Sequence, residues 1–157
     1  MSQTKADRDL GHLYPPFAQK VEWIIAQMDH WLDKHKPGYR LIVTEGLRSA
    51  SYQNSLYQKG RTKPGNIVTA CDGYKVKSNH QSGLAVDVAP SNGAKVDWDA
   101  GEEFTDYLHH LARAQGINYG VLKRSGKRID LWHLDVLKSD RKMHQAARMW
   151  LAAKGLA

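Results

Sequence analysis

Apolar positions along the chain change period several times, and each change predicts an element. Phe17, Val21, Ile24, Ile25, Met28, Trp31 and Leu32 recur at helical spacing behind Pro15-Pro16. They predict an amphipathic helix of about four or five turns, stopped by Lys36-Pro37-Gly38. The polar residues 1–14 before it read as a loose arm. Tyr39 to Thr44 is a continuous β-branched and aromatic run, expected as a strand buried at the centre of a sheet. A short helix from about Ala50 to Lys59 ends at Gly60. Residues 60–83 are glycine-punctuated, with a short strand expected at Ile67 to Ala70. Leu84 to Val88 is a second strand, and Pro90 to Gly93 turns the chain. Asp99 and Glu102 form a capping pattern for a helix through Ala114, with Gly116 after its end. Ile117 to Leu122 and Arg128 to Val136 pair as a hairpin across Arg124-Ser125-Gly126-Lys127. A last helix runs from Ser139 or Asp140 to about Lys154. This order predicts an α+β fold, a small and largely antiparallel sheet flanked by helices, with residues 1–157 as a single domain.

Size and charge narrow the function classes. A chain of 157 residues suits one hydrophobic core. The formal charge of +7 favours anionic surroundings, including anionic cell-wall polymers. Its cations are dispersed, and no element joins a basic stripe to base-reading side chains, so nucleic acid is not the expected partner. Cys71 is the only cysteine, which excludes an intramolecular disulfide and a cysteine-rich zinc site. No apolar run is long enough to span a membrane. The polar N-terminus MSQTKADRDLGHLYPP has no signal-peptide core, so synthesis and retention in a cytoplasm are expected.

Two segments concentrate metal-ligating side chains. In Ser78-Asn79-His80-Gln81-Ser82-Gly83-Leu84-Ala85-Val86-Asp87-Val88, a strand would bury Leu84, Val86 and Val88 and turn Asp87 to the other face. Gly83 would let the backbone fold His80 back over Asp87. The second segment is Asp130-Leu131-Trp132-His133. Two imidazoles and one carboxylate leave one tetrahedral position for water, an arrangement used by catalytic zinc. Such an ion lowers the pKa of water and polarises a scissile carbonyl. Asp130 is the candidate proton acceptor. Residues three apart lie on opposite faces of a regular strand, so Asp130 and His133 converge only if the strand bulges. Arg48, just beyond the first strand, could grip a substrate carboxylate or an oxyanion. Plainer roles compete: each histidine as a surface residue, Asp87 in a salt bridge to lysine, Arg48 in a surface pair with Glu45. His12, His30, His35, His109, His110 and His144 read as structural or solvated. Nothing places a histidine beside Cys71 to make it a nucleophile.

Several segments together resemble a known family: Arg48-Ser49 with Gln53, Leu56 to Thr62, Pro64 to Thr69, Ser78-Asn79-His80 to Gly83, Ala85-Val86-Asp87, and Asp130 to His133. The pattern is similar to the M15 zinc metallopeptidases, most of all to the L-alanyl-D-glutamate endopeptidases of bacteriophage endolysins, relatives of the D-alanyl-D-alanine peptidases. It covers about residues 40–136. The resemblance implies the D-Ala-D-Ala-peptidase or hedgehog-like zinc domain, with one zinc ion per chain held by His80, Asp87 and His133. It implies Asp130 as the catalytic carboxylate, Arg48 as the arginine that holds substrate or oxyanion, and Gln53 and Ser78 in supporting or substrate-binding positions. The loop Ala70 to Lys77 and the segment Tyr119-Gly120-Val121 depart from the endolysin pattern near the expected substrate subsites.

The expected activity is therefore zinc-dependent hydrolysis of the L-alanyl-D-glutamate bond of peptidoglycan stem peptides, by a monomer. It would accumulate in a host bacterial cytoplasm and reach the wall after the membrane is permeabilised. A D-alanyl-D-alanine carboxypeptidase or endopeptidase using the same residues is the nearest alternative. A non-catalytic zinc-stabilised wall-binding module is the alternative of another class.

Overall fold

The computed structural model describes residues 3–157; Met1 and Ser2, part of the expected arm, lie outside the described residues. Helix α1 spans Pro15–His35, strand β1 Arg40–Glu45, α2 Ala50–Tyr57, β2 Ala85–Ser91, α3 Glu102–Ala114, β3 Asn118–Leu122, β4 Arg128–Asp135 and α4 Arg141–Ala153. The strands form one antiparallel sheet in the order β1-β2-β4-β3, the α+β architecture that the hydrophobic pattern predicts.

The apolar stripe of α1 (Phe17, Val21, Ile24, Met28, Leu32) meets Leu41 of β1, Val86 and Val88 of β2, and Phe104 and Leu108 of α3 in one buried cluster. Burying each such side chain contributes roughly 1.5–3 kcal/mol. That packing uses one face of the sheet. Alternation turns Asp87 to the other face, where it stays half-buried. Among the described residues, no helix is long and apolar enough to cross a membrane.

Five expectations change. The arm is not loose: Leu13 is buried in the core, Gly46 N–H donates to the Asp7 carbonyl at 2.6 Å, and Gln3 bonds the backbone of Leu47 and Ser49. Strand β1 is an edge, not the centre, and most of it is half-exposed; its apolar run reflects packing by α1 on a single face. Ile67 to Ala70 form no strand, and Ile67 and Val68 stand exposed. Asp99 does not cap α3. The residue before the helix is Gly101, and the Asp99 N–H is taken by the Asp97 carboxylate instead. Strand β2 also continues past Val88 to Ser91, while its pairing with β4 ends at Asp87.

Candidate metal centre

Three strands carry one row of polar side chains across the face opposite the core. Glu45 of β1 pairs with Asp87 of β2, and Asp87 pairs with His133 of β4. Paired positions share a face, so the three side chains stand together. Two bulges create this arrangement. In β1 the register shifts between Val43 and Glu45, so Thr44 is passed over and Glu45 stands beside Asp87. In the hairpin, Tyr119 pairs with Leu134 and Val121 with Ile129, leaving Gly120 alone opposite Asp130, Leu131, Trp132 and His133.

That second bulge is the bend required for Asp130 and His133 to converge. Asp130 adopts φ +54°, alone among the described non-glycine residues, a conformation that aspartate tolerates better than most side chains. Gly120 (φ +60°) is needed opposite it, because a Cβ there would lie 2.8 Å from the Ile129 carbonyl oxygen. Helix α3 braces the bulge: His109 stacks on Tyr119 at 3.9 Å, and its Nε2 pairs with the Leu131 carbonyl at 3.1 Å.

His80 arrives by a different route. It lies in a 3-10 turn, Asn79–Ser82, whose start is a capping box. The Ser78 hydroxyl accepts from the His80 N–H, and the Gln81 side chain accepts from the Ser78 N–H. Gly83 closes the turn at φ +65°. His80 Nδ1 then meets the Gly46 carbonyl at 2.7 Å, which leaves Nε2 facing Asp87 Oδ2 at 3.5 Å. His133 is oriented in the opposite sense. Its Nε2 lies 3.3 Å from Asp135 Oδ2, and its Nδ1 is 2.9 Å from Asp87 Oδ1. Asp135 is itself held by Asn79 at 2.6 Å and Asn118 at 2.7 Å.

These contacts fit a metal. Ligand atoms of His80, Asp87 and His133 all lie within 4.8 Å of one another. Each imidazole uses its far nitrogen on a carbonyl or carboxylate, the arrangement that orients histidine ligands and makes them better donors. Two nitrogens and one carboxylate suit zinc among the common divalent ions.

Electrostatics sharpen the site. Burial opposes charge on Asp87, but the neighbouring His80 and His133 outweigh it and hold the carboxyl well below the usual range. Burial likewise disfavours the His133 imidazolium, yet Asp135 and Asp87 carry its pKa up to about 10. Asp130 is pushed the other way: burial, then the Asp87 charge, raise its carboxyl above the ordinary value. Asp87 and Asp130 line a cavity of about 370 Å³ together with Trp98, Trp132 and Arg8.

The remaining candidates surround this centre. Arg48 does pair with Glu45, at 2.7 Å, but as a buried pair rather than a surface one. Its other amino group bonds Gln53 at 3.1 Å, and Asp87 lies 3.5 Å away. Gln53, fully buried, also donates to Thr69 and the Cys71 carbonyl. Ser78 shapes the His80 turn. Sequence reasoning missed Asp135, Asn79, Asn118, Arg8 and Trp98. Only Asp135 leaves a signal, since it lies two residues after His133 and so on the same strand face.

A small α+β domain with a His-Asp-His donor set beside one face of its sheet has the ligand types of a metal-binding domain. Residues 18–134 match the VanY D-alanyl-D-alanine carboxypeptidase model, and the chain belongs to this family of M15 peptidases. Over 63 residues, 40% of the chain, it is 44% identical to the peptidoglycan L-alanyl-D-glutamate endopeptidase CwlK of Bacillus subtilis. That match spans only 36% of the relative's length. The fold is similar to the L-Ala D-Glu endopeptidase ChiX of Serratia marcescens (TM-score 0.54, 19% identity, 84% of this chain and 86% of that one). It is also similar to the L,D-carboxypeptidase DacB of Streptococcus pneumoniae (TM-score 0.55, 25% identity, 85% and 72%).

Proposed function

We propose that this chain is a zinc peptidase that hydrolyses the L-alanyl-D-glutamate bond of peptidoglycan stem peptides, as a single peptidase domain and a monomer. The observation that carries the reading is the convergence of His80, Asp87 and His133, with Asp87 and Asp130 lining one cavity. The 44% identity to CwlK favours this bond over D-alanyl-D-alanine.

His80 Nε2, Asp87 and His133 Nδ1 would hold one zinc ion per chain. When bound, the ion supplies Lewis-acid polarisation of the scissile carbonyl and a lowered pKa for water. The residues of the chain supply the rest. Asp130, with its raised pKa, takes a proton from the attacking water and delivers it to the leaving amine nitrogen. Arg48 places positive charge beside Asp87, next to where negative charge develops on the substrate. Glu45 and Gln53 hold that guanidinium in place, and Ser78 sets the turn that aims His80. A lytic setting, with release from a host cytoplasm through a breached membrane, rests on the resemblance to endolysins.

Zinc content measured beside hydrolysis of purified peptidoglycan, with mass spectrometry of every released end, tests the reading. Wild type is expected to bind one zinc per chain and release fragments with new D-Glu amino termini, and His80→Ala to lose both. New D-Ala termini would move the function to D-alanyl-D-alanine cleavage with the same residues. Asp130→Asn is expected to keep its zinc and lose cleavage by about 100-fold or more. Wild-type turnover in that variant would remove Asp130 from the chemistry. Zinc binding without any cleavage in wild type would leave a wall-binding module.

A further inference from the structure

Both bonds considered above share one feature. The residue that supplies the leaving nitrogen carries a carboxylate one carbon away. In D-Glu it is the α-carboxylate, left free because the stem continues from the side chain; in a terminal D-Ala it is the chain end. A site facing such a substrate must offset that negative charge, since Glu45, Asp87 and Asp130 already line the cavity with carboxylates.

Arg48 is poorly placed for this task. One amino group is 2.7 Å from Glu45 and the other 3.1 Å from Gln53, its Nε is sealed from solvent, and the side chain is only 11% exposed. Engaging a substrate carboxylate would break contacts that hold Asp87 and the β1 end in place.

Arg8 is the cation that remains, and among the described residues the only one lining the cavity. It comes from the N-terminal arm, well before the family match begins at residue 18. The backbone on both sides of it is pinned. The Asp7 carbonyl accepts from the Gly46 N–H, and the Asp7 carboxylate accepts from the Asp9 N–H at 2.9 Å. The two flanking carboxylates turn to His12 instead of the guanidinium: Asp7 at 2.8 Å and Asp9 at 3.7 Å. Arg8 itself is exposed and has no ion-pair partner among the described residues. Across the same cavity, Trp98 and Trp132 meet edge-to-face at 5.9 Å, forming an apolar wall beside the charged groups.

We infer that Arg8 is a substrate-binding residue: its guanidinium takes the free carboxylate of the residue on the leaving-amine side of the scissile bond. This deepens the peptidase reading and rests on it. A guanidinium matches a carboxylate with two parallel N–H donors, which lysine cannot reproduce. The arm is thereby a wall of the substrate cleft, and Arg48 keeps its charge beside Asp87, held there by Glu45 and Gln53.

The probes are N-acetyl-L-alanyl-D-glutamic acid γ-methylamide and the same molecule with its α-carboxylate converted to the amide. Affinity is read from tryptophan fluorescence of the zinc-loaded Asp130→Asn protein, so that binding is measured without turnover. The acid is expected to bind roughly 10- to 50-fold tighter than the amide, as for a charge-assisted hydrogen-bonded pair. Adding Arg8→Ala is expected to bring the two probes within about 2-fold of each other, with Arg8→Lys in between and zinc content unchanged. A preference for the acid that survives Arg8→Ala would overturn the inference, as would equal binding, or no binding, of both probes before that change. Turnover by wild type is scored separately. Cleavage with a preference indifferent to Arg8 would keep the peptidase and remove Arg8. A preference that depends on Arg8, without cleavage, would keep the carboxylate subsite and remove the peptidase.

Discussion

Each imidazole in the proposed metal centre is aimed by a different device, and the two should fail differently. His80 is fixed by backbone, through the Gly46 carbonyl, so no single side-chain change frees its far nitrogen. His133 depends on the Asp135 carboxylate, 3.3 Å from Nε2, which Asn79 and Asn118 hold from two sides. Asp135→Asn is therefore expected to lower zinc affinity about 10- to 100-fold, measured by competition with a chromophoric chelator. In the metal-free protein the same change should bring the His133 titration down from about 10, because one of its two carboxylate partners has lost its charge. An unchanged zinc affinity would show that Asp87 alone orients His133. His80 and Asp87 could be picked out as residues from their spacing and pattern. The division of labour between carbonyl and carboxylate could not, because Gly46 and Asn118 lie 34 and 15 residues from the histidines they serve.

At the scale of elements, the site is made by bulges. A regular β1 would set Thr44 beside Asp87, and a regular hairpin would point Asp130 and His133 to opposite faces. Gly120 carries the hairpin bulge: it combines positive φ with a backbone oxygen 2.8 Å from where a Cβ would sit. Gly120→Ala is expected to cost about 1–3 kcal/mol in thermal or urea unfolding and to reduce cleavage by shifting Asp130. Gly126→Ala in the hairpin turn is the control. Its φ is +82° but nothing lies within 4 Å of an added Cβ, so the cost should be smaller and cleavage unaffected. Equal losses in the two variants would mean that backbone strain alone, not the contact across the bulge, gives Gly120 its importance. The hairpin itself was legible from its two apolar runs and its Ser-Gly turn. The parity of Asp130 and His133 showed that a bend was needed, but not which residue would face it.

Across the whole molecule, the helical layer and the site are coupled through His109, which reaches from α3 to the bulge. Burial lowers its pKa below the ordinary histidine value, so the folded state favours the neutral ring. The unfolded chain then binds more protons than the fold as pH falls through about 6.5, and stability must decline there. This contribution is fully present above that pH and is lost toward the lower folded-state pKa. The difference in urea midpoint between wild type and His109→Gln is expected to be larger at pH 8 than at pH 5.5, with other titrating groups cancelling in the comparison. A difference that stays constant with pH would show that His109 acts through its stacking on Tyr119 and its bond to the Leu131 carbonyl, not through its titration.

The sequence by itself determined the periodic elements, since α1, the hairpin and α4 each bury a stripe that local spacing reveals. It also determined the chemical types of the candidate ligands, because histidine and aspartate flanking an apolar strand are costly without a role. Tertiary structure decided what local spacing does not encode. An apolar run reads alike at the edge of a sheet and at its centre, so β1 could not be placed. The polar arm shows no periodicity, yet Leu13 enters the core and Arg8 reaches the cleft because the backbone of Gly46 to Ser49 captures the arm. Asp135, Asn79 and Asn118 become a support for His133 only when three separate segments meet, and that meeting depends on long-range packing rather than on neighbours in the chain.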